Sequence, residues 1–154
     1  MNARRELLSR CAALCSLLLG AGLPRAALAQ TAGYNAAAFE ARTVAELMKA
    51  LGAPTPVPSN EISIQGPELA EDGAFVLLGA STTLPGVRRL LLLVEKNPVL
   101  LSAMFEFGDA AEPAFATRVK MAQSSNVIAV ALLADGRVLS AQKNVEVTIG
   151  GCGA

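Results

Sequence analysis

The residues best placed to do chemistry stand at the C-terminal end, where Val145-Glu146-Val147-Thr148-Ile149 alternates like a strand and Gly150-Gly151-Cys152-Gly153-Ala154 follows. A cysteine thiolate is a nucleophile and a point of covalent attachment. Gly150, Gly151 and Gly153 strip side-chain bulk from its surroundings and open many backbone conformations. The segment is therefore expected to be a flexible arm able to enter a narrow channel. Five residues extend at most roughly 17 Å, enough to reach into another protein's active site. No histidine or helix N-terminus adjoins Cys152, and a carboxylate two residues further on disfavours a second negative charge. The thiol thus reads as a hook for covalent cargo that other proteins act on. The competing reading is an exported immunoglobulin-like binding module whose cysteine forms an intermolecular disulfide. A rigid bridge gains nothing from so adaptable a tether.

Other chemistry is thinly represented. The chain has no histidine, which removes serine–histidine and cysteine–histidine pairs and the commonest transition-metal ligand. Its other cysteines, Cys11 and Cys15, lie in an N-terminal segment expected to be removed. That leaves neither a dithiol pair nor a thiolate cluster for zinc or iron–sulfur binding. No glycine-rich phosphate loop is present. Glu68, Glu71 and Asp72 lie close in sequence, and their expected setting is a solvated loop beside the Asp72-Gly73 turn. Neither a metal, a cofactor nor an enzyme activity of its own is expected.

The thiol's compartment follows from the other end of the chain. Met1 to Arg10 is basic, Cys11 to Leu23 is apolar, and Ala27-Leu28-Ala29 supplies small residues before Gln30, the layout of an export signal over residues 1–29. Arg4-Arg5 followed by Glu6-Leu7-Leu8 resembles the twin-arginine pattern, so the protein is expected to cross folded into the periplasm. The apolar stretch is short of the roughly 20 residues that a membrane-spanning helix needs, and no membrane association is expected. Removing residues 1–29 takes away Arg4, Arg5, Arg10, Arg25 and Glu6 and leaves a net charge of about −3. With one Tyr, five Phe and no basic run, the chain lacks the footprint and stacking platform of nucleic-acid binders.

The elements that must carry the arm are mostly strands. Residues 30–58 read as a leader, one short helix (Phe39, Val44, Leu47, Met48 and Leu51 near helical spacing, Gly52 as its stop) and a proline-rich linker, Ala53 to Pro58. From residue 59 to 149 the pattern is strand-like. Phe115, Thr117, Val119 and Met121 alternate with Arg118 and Lys120, as Val145, Val147 and Ile149 do with Glu146 and Thr148. Leu90 to Val94 and Val127 to Leu133 are continuous apolar runs and should be central strands. Asp135-Gly136 predicts a hairpin with a type I′ turn. Seven or so short strands without alternating helices predict an all-β, immunoglobulin-like antiparallel β-sandwich with one short N-terminal helix and the arm at residues 150–154.

The ending Val147-Thr148-Ile149-Gly150-Gly151-Cys152-Gly153-Ala154 closely resembles the Gly-Gly-Cys-Gly-Gly arm of the SoxY family, carrier subunits of the periplasmic sulfur-oxidation (Sox) system; Ala154 replaces the final glycine. Pro67-Glu68-Leu69-Ala70-Glu71-Asp72-Gly73-Ala74, Leu84-Pro85-Gly86-Val87, Val94-Glu95-Lys96-Asn97-Pro98 and Arg118-Val119-Lys120-Met121-Ala122-Gln123 also look like signatures of that family. The resemblance implies a sandwich paired with a SoxZ-like subunit, and thiosulfate-derived sulfur held covalently on Cys152. It also implies three partner enzymes: a haem-containing enzyme that loads thiosulfate, a hydrolase that releases sulfate, and a sulfane dehydrogenase. Haem and metal would belong to those partners. The interface with the paired subunit is expected on exposed sandwich surface.

Overall fold

A computed structural model describes residues 35–149. Two short helices precede nine strands: α1 (Ala36–Glu40), α2 (Val44–Ala50), β1 (Val57–Pro58), β2 (Ile62–Gln65), β3 (Leu69–Asp72), β4 (Val76–Thr82), β5 (Val87–Val94), β6 (Leu101–Glu106), β7 (Ala114–Val119), β8 (Ser125–Leu133) and β9 (Val138–Ile149). A 3-10 turn, Gly73–Phe75, links β3 to β4.

The single helix expected from the spacing is two helices, and local capping explains the break. Asn35 Oδ1 accepts from the Ala38 N–H (3.2 Å) at the start of α1. At the start of α2, Thr43 Oγ1 accepts from the Glu46 N–H (3.2 Å) and Glu46 Oε2 accepts from the Thr43 N–H (3.2 Å). This reciprocal box satisfies donors that the first turn leaves bare, and it holds Thr43 in extended geometry. Gly52 stops α2 as expected: at φ +66° it lets Ala53 N–H reach Met48 O (2.9 Å) and Gly52 N–H reach Lys49 O (3.1 Å), closing the helix end.

The larger sheet runs β1-β9-β8-β5-β6, with β3 also on β9, and the smaller runs β2-β4-β7. The immunoglobulin-like sandwich read from the sequence is present, with antiparallel pairing in all its long ladders. Two short pairings are parallel: Val57-Pro58 beside Leu139-Ser140, and Leu69–Asp72 beside Glu146–Ile149. The end of the proline-rich segment is thus a sheet edge, where a missing N–H on Pro58 is tolerated.

β5 and β8 are central, as their apolar runs predicted. Leu90, Leu92 and Val94 face the space between the sheets, while Leu91 and Leu93 face the helices with Ala38, Leu47, Met48 and Val130. A strand buried on both faces has no polar side to alternate with, hence the unbroken Leu90 to Val94. Between the sheets, Val87, Leu90 and Leu133 gather at one end of the sandwich, and Val76, Val94, Val119, Met121, Val127 and Val145 at the other.

The β8–β9 hairpin is present, but its turn departs from expectation. Gly136 N–H bonds Leu133 O (3.1 Å) and Leu133 N–H bonds Arg137 O (3.0 Å), with Gly136 at φ +87° and, among the described residues, no non-glycine residue at positive φ. A type I′ turn would need Asp135 at positive φ as well. The loop is instead a three-residue connection with the glycine as a bulge.

Candidate functional site at the root of the C-terminal arm

Cys152, Gly150, Gly151, Gly153 and Ala154 lie outside the described residues, as do Arg4 and Arg5. What the structure places is the root from which the arm departs. β9 outruns its neighbour: the ladder with β8 ends at Val145 opposite Ser125, yet β9 continues to Ile149. Val145 is fully buried and fixes the strand in the core.

The overhang is held on both edges. On one, β3 runs alongside, with Leu69 opposite Glu146, Ala70 opposite Val147 and Asp72 opposite Ile149, and Glu146 N–H donates to Glu68 O (2.8 Å). On the other, the Ser124 hydroxyl takes the place of the β8 backbone, accepting from Val147 N–H (2.9 Å) and donating to Val147 O (3.4 Å). An exposed strand end with bare N–H and C=O groups frays; this one is paired up to its last residue. Ile149 is nonetheless 67% exposed, although it follows Val145 and Val147 in the inward alternation. The last core layer ends below it.

Loops around the root are cross-braced. Asn97 Nδ2 donates to Lys120 O (2.6 Å) and Asn97 Oδ1 accepts from Ala122 N–H (3.0 Å), joining the β5–β6 and β7–β8 loops. Met121 N–H donates to Gly73 O (2.7 Å), joining the latter loop to the 3-10 turn. Ser125 Oγ accepts from Lys96 N–H (3.0 Å). Segments 67–74, 94–98 and 118–123, singled out in the sequence, therefore converge at the arm end. Segment 84–87 sits at the other end, where Gly86 O accepts from Ala134 N–H (2.8 Å) beside the hairpin.

Chemistry native to the root is limited. Asp72 is engaged as a cap, its Oδ1 accepting from Ala74 N–H (2.8 Å), and Glu71 and Asp72 belong to β3 and not to a loop. Among the described residues no group of three or more Cys, Asp or Glu could hold a metal ion. Asp135, the carboxyl held clearly below its ordinary pKa, stands at the hairpin. The Arg137 backbone N–H and then its guanidinium stabilise the charged form. A cleft of about 800 Å³ opens between β2 and β9, lined by Ile62, Ile64, Ser140, Gln142 and Lys143. The Lys143 ammonium there donates to Gly66 O (2.6 Å), a structural tie. No helix of the described residues is long and apolar enough to cross a membrane.

The family model described as sulfur oxidation protein SoxY matches residues 47–152, from α2 through the whole sandwich to the arm cysteine. The chain belongs to the SoxY family. Among solved structures, the sulfur carrier protein SoxY from Chlorobium limicola f thiosulfatophilum is similar at 29% identity. The match covers 67% of this chain and 93% of that one, with a TM-score of 0.61. Superoxide reductase (neelaredoxin) from Ignicoccus hospitalis is similar at 19% identity over 57% of this chain and 80% of that one, TM-score 0.51, a likeness of fold alone. None of the curated proteins matches. The family match runs past the end of β9 at the root described above and reaches Cys152. Sequence reasoning missed Ser124 and β3 as its anchors, since a lone serine and a four-residue strand carry no periodic signal.

Proposed function

We propose that this SoxY-family chain is a carrier, not an enzyme, and holds thiosulfate-derived sulfur covalently on Cys152 in the periplasm for the enzymes of the sulfur-oxidation system. The observation that carries the reading is the family match running through Cys152, joined to a strand that is paired as far as Ile149. Three residues beyond that fixed point stands a thiol flanked by glycines.

In this reading a haem-containing enzyme couples thiosulfate to the thiol. The Cys152 S–H loses its proton, a sulfur–sulfur bond forms, and two electrons pass to the enzyme. A hydrolase then adds water to the terminal sulfone and releases sulfate, leaving a sulfane sulfur on Cys152 for a sulfane dehydrogenase. The chain's own contribution is covalent attachment, reach and recognition; haem and metal belong to the partners. A SoxZ-like subunit pairs with the sandwich, the twin-arginine-like Arg4 and Arg5 direct export, and Gly150, Gly151, Gly153 and Ala154 give the thiol its clearance.

Intact mass of protein taken from the periplasm under thiosulfate, before and after a reducing agent, tests the reading. Sulfur additions confined to Cys152 and removed by reduction are expected, with none on Cys152→Ser. An undiminished adduct on that variant would overturn the hook, and a persistent protein–protein disulfide would favour the binding module.

A further inference from the structure

An edge strand offers bare N–H and C=O groups to any strand that reaches it, and proteins commonly blunt such edges with lysines, bulges or inward-pointing charges. β7 is an edge of the smaller sheet and carries none of these between Ala114 and Val119. Its ladder with β4 runs without a register shift. Phe115 and Thr117 are half-buried, while Ala114, Ala116 and Arg118 are exposed. The phase of the ladder tells which backbone groups are bare. Thr82 N–H donates to Pro113 O (3.1 Å), and this pair continues the register of Ser81 with Ala114. Residues 113, 115, 117 and 119 therefore turn their peptide groups to β4, and Ala114, Ala116 and Arg118 turn theirs to the open side. Ala114 N–H is met by Glu112 O (2.9 Å); among the described residues no backbone group meets the N–H of Ala116 or Arg118 on that side.

This edge is complementary to itself. Glu112 and Arg118 lie three residues to either side of Phe115, both exposed and without an ion-pair partner among the described residues. A second β7 laid antiparallel about a two-fold axis at Phe115 sets Glu112 of each copy opposite Arg118 of the other, and Ala114 opposite Ala116. These are the positions that exchange backbone bonds, so the N–H groups of Ala116 and Arg118 meet Ala114 O and Glu112 O of the other copy. Moving the axis by one residue either way leaves Arg118 opposite an alanine. Phe115 meets its own copy at a position without backbone bonds, where Cα atoms come within about 4.5 Å. Phe105 of β6, an edge of the larger sheet, is 39% exposed and stacks on Phe115 with ring centroids 4.1 Å apart. The axis thus gathers two stacked pairs of rings and takes them out of water.

We propose that β7 is a homodimerisation edge, through which two copies of this chain pair antiparallel over residues 112–118 and join their smaller sheets into one. The contact is short of a standard interface, so association depends on concentration. It does not depend on the carrier reading, but it has a consequence for the arm. Val119 leads toward the arm root, where Met121 N–H bonds Gly73 O. In the pair, Val119 of one copy stands opposite residue 111 of the other, which sets the two Val119 about 26 Å apart along the strands. Each Cys152 reaches at most about 11 Å from Ile149. The two arms point to opposite ends, and the dimer forms without a disulfide between them.

The test is sedimentation velocity over a concentration series, on the exported chain with whatever partner subunit co-purifies, carrying Cys152→Ser so that no disulfide contributes. Reversible pairing of two copies is expected. Arg118→Glu alone and Glu112→Arg alone each set like charges opposite one another at both ends of the contact, and each should raise the dimer Kd about tenfold or more. An equimolar mixture of the two variants should recover pairing to within about threefold of the parent, because the mixed pair sets opposite charges at both ends. Ala116→Pro removes an N–H that β4 does not use and should weaken the dimer without touching charge. Melting temperatures should hardly move, since all three side chains are exposed. A chain that stays monomeric up to about 1 mM would overturn the proposal. So would a dimer indifferent to Ala116→Pro and to both charge reversals, by placing the contact elsewhere. Loss of the partner subunit from these variants would overturn it too, by assigning the edge to that subunit.

Discussion

At the scale of single residues, the Asp135-Gly136 turn shows what a dipeptide can and cannot say. The hairpin was legible because glycine was needed at positive φ, and Gly136 has it at +87°. The turn type was not, because Asp135 uses its side chain instead of a left-handed backbone. Its Oδ1 accepts from the Arg137 N–H (2.9 Å) and its Oδ2 from the Arg137 guanidinium (2.7 Å). These bonds favour the charged carboxyl and hold it below its ordinary value of 3.8. A carboxyl whose pKa is lowered by folding stabilises the fold above the unfolded pKa, and that contribution is lost as pH falls through the folded one. A carboxyl-carbon NMR titration should therefore give Asp135 a midpoint below that of an aspartate in an unfolded peptide. Arg137→Ala should move it part of the way back, since the backbone donor remains. A wild-type midpoint at or above the ordinary value would refute the arrangement.

Among the elements, legibility followed periodicity and burial. The runs Leu90 to Val94 and Val127 to Leu133 announced central strands, because burial on both faces leaves no room for polar alternation. Helical spacing from Phe39 to Leu51 announced a covering element, although the Thr43 and Glu46 box that divides it was overlooked. β1 and β3, of two and four residues, are too short to carry a period, and their partner residues on β9 lie 82 and 77 residues away in sequence; nothing local reveals such pairings. The helices are not an ornament on the sandwich. Leu47, fully buried, packs with Leu91, Leu93 and Val130 on the outward face of the larger sheet, and Arg42 donates to Pro98 O to tie that cover to the β5–β6 loop. Leu47→Ala removes side-chain volume where neighbours on two elements cannot close in. Urea denaturation is expected to show a loss of about 2–5 kcal/mol; a loss below about 1 kcal/mol would mean that the helices cover the sheet only loosely.

For the whole molecule, the end of the sandwich where β9 runs out is cross-braced through its loops. Cys152 was conspicuous in the sequence because a glycine-flanked thiol has few structural uses, but the bracing around the strand end that precedes it was hidden in loops that meet only after folding: Asn97 with Lys120 and Ala122, Ser124 with Val147, Gly73 with Met121. This bracing reaches Ile149, and the proposed carrier function divides the chain there into a fold and a chemical handle. All buried hydrophobic residues described lie between Ala38 and Val145. A chain stopped after Ile149 should therefore melt within about 3 °C of the full-length protein and lose covalent loading altogether. Stopping after Val145 also deprives β3 of its ladder with β9 and Ser124 of its bonds to Val147. That shorter chain should melt several degrees lower still, as unpaired backbone groups at the end of the core must be left to water. The contrast between the truncations is the informative quantity. If removing residues 150–154 already costs as much as removing 146–154, the final residues hold the sandwich together and the division between fold and handle fails. If only the longer deletion costs stability, the overhang of β9 is the fixed mount on which Cys152 is carried.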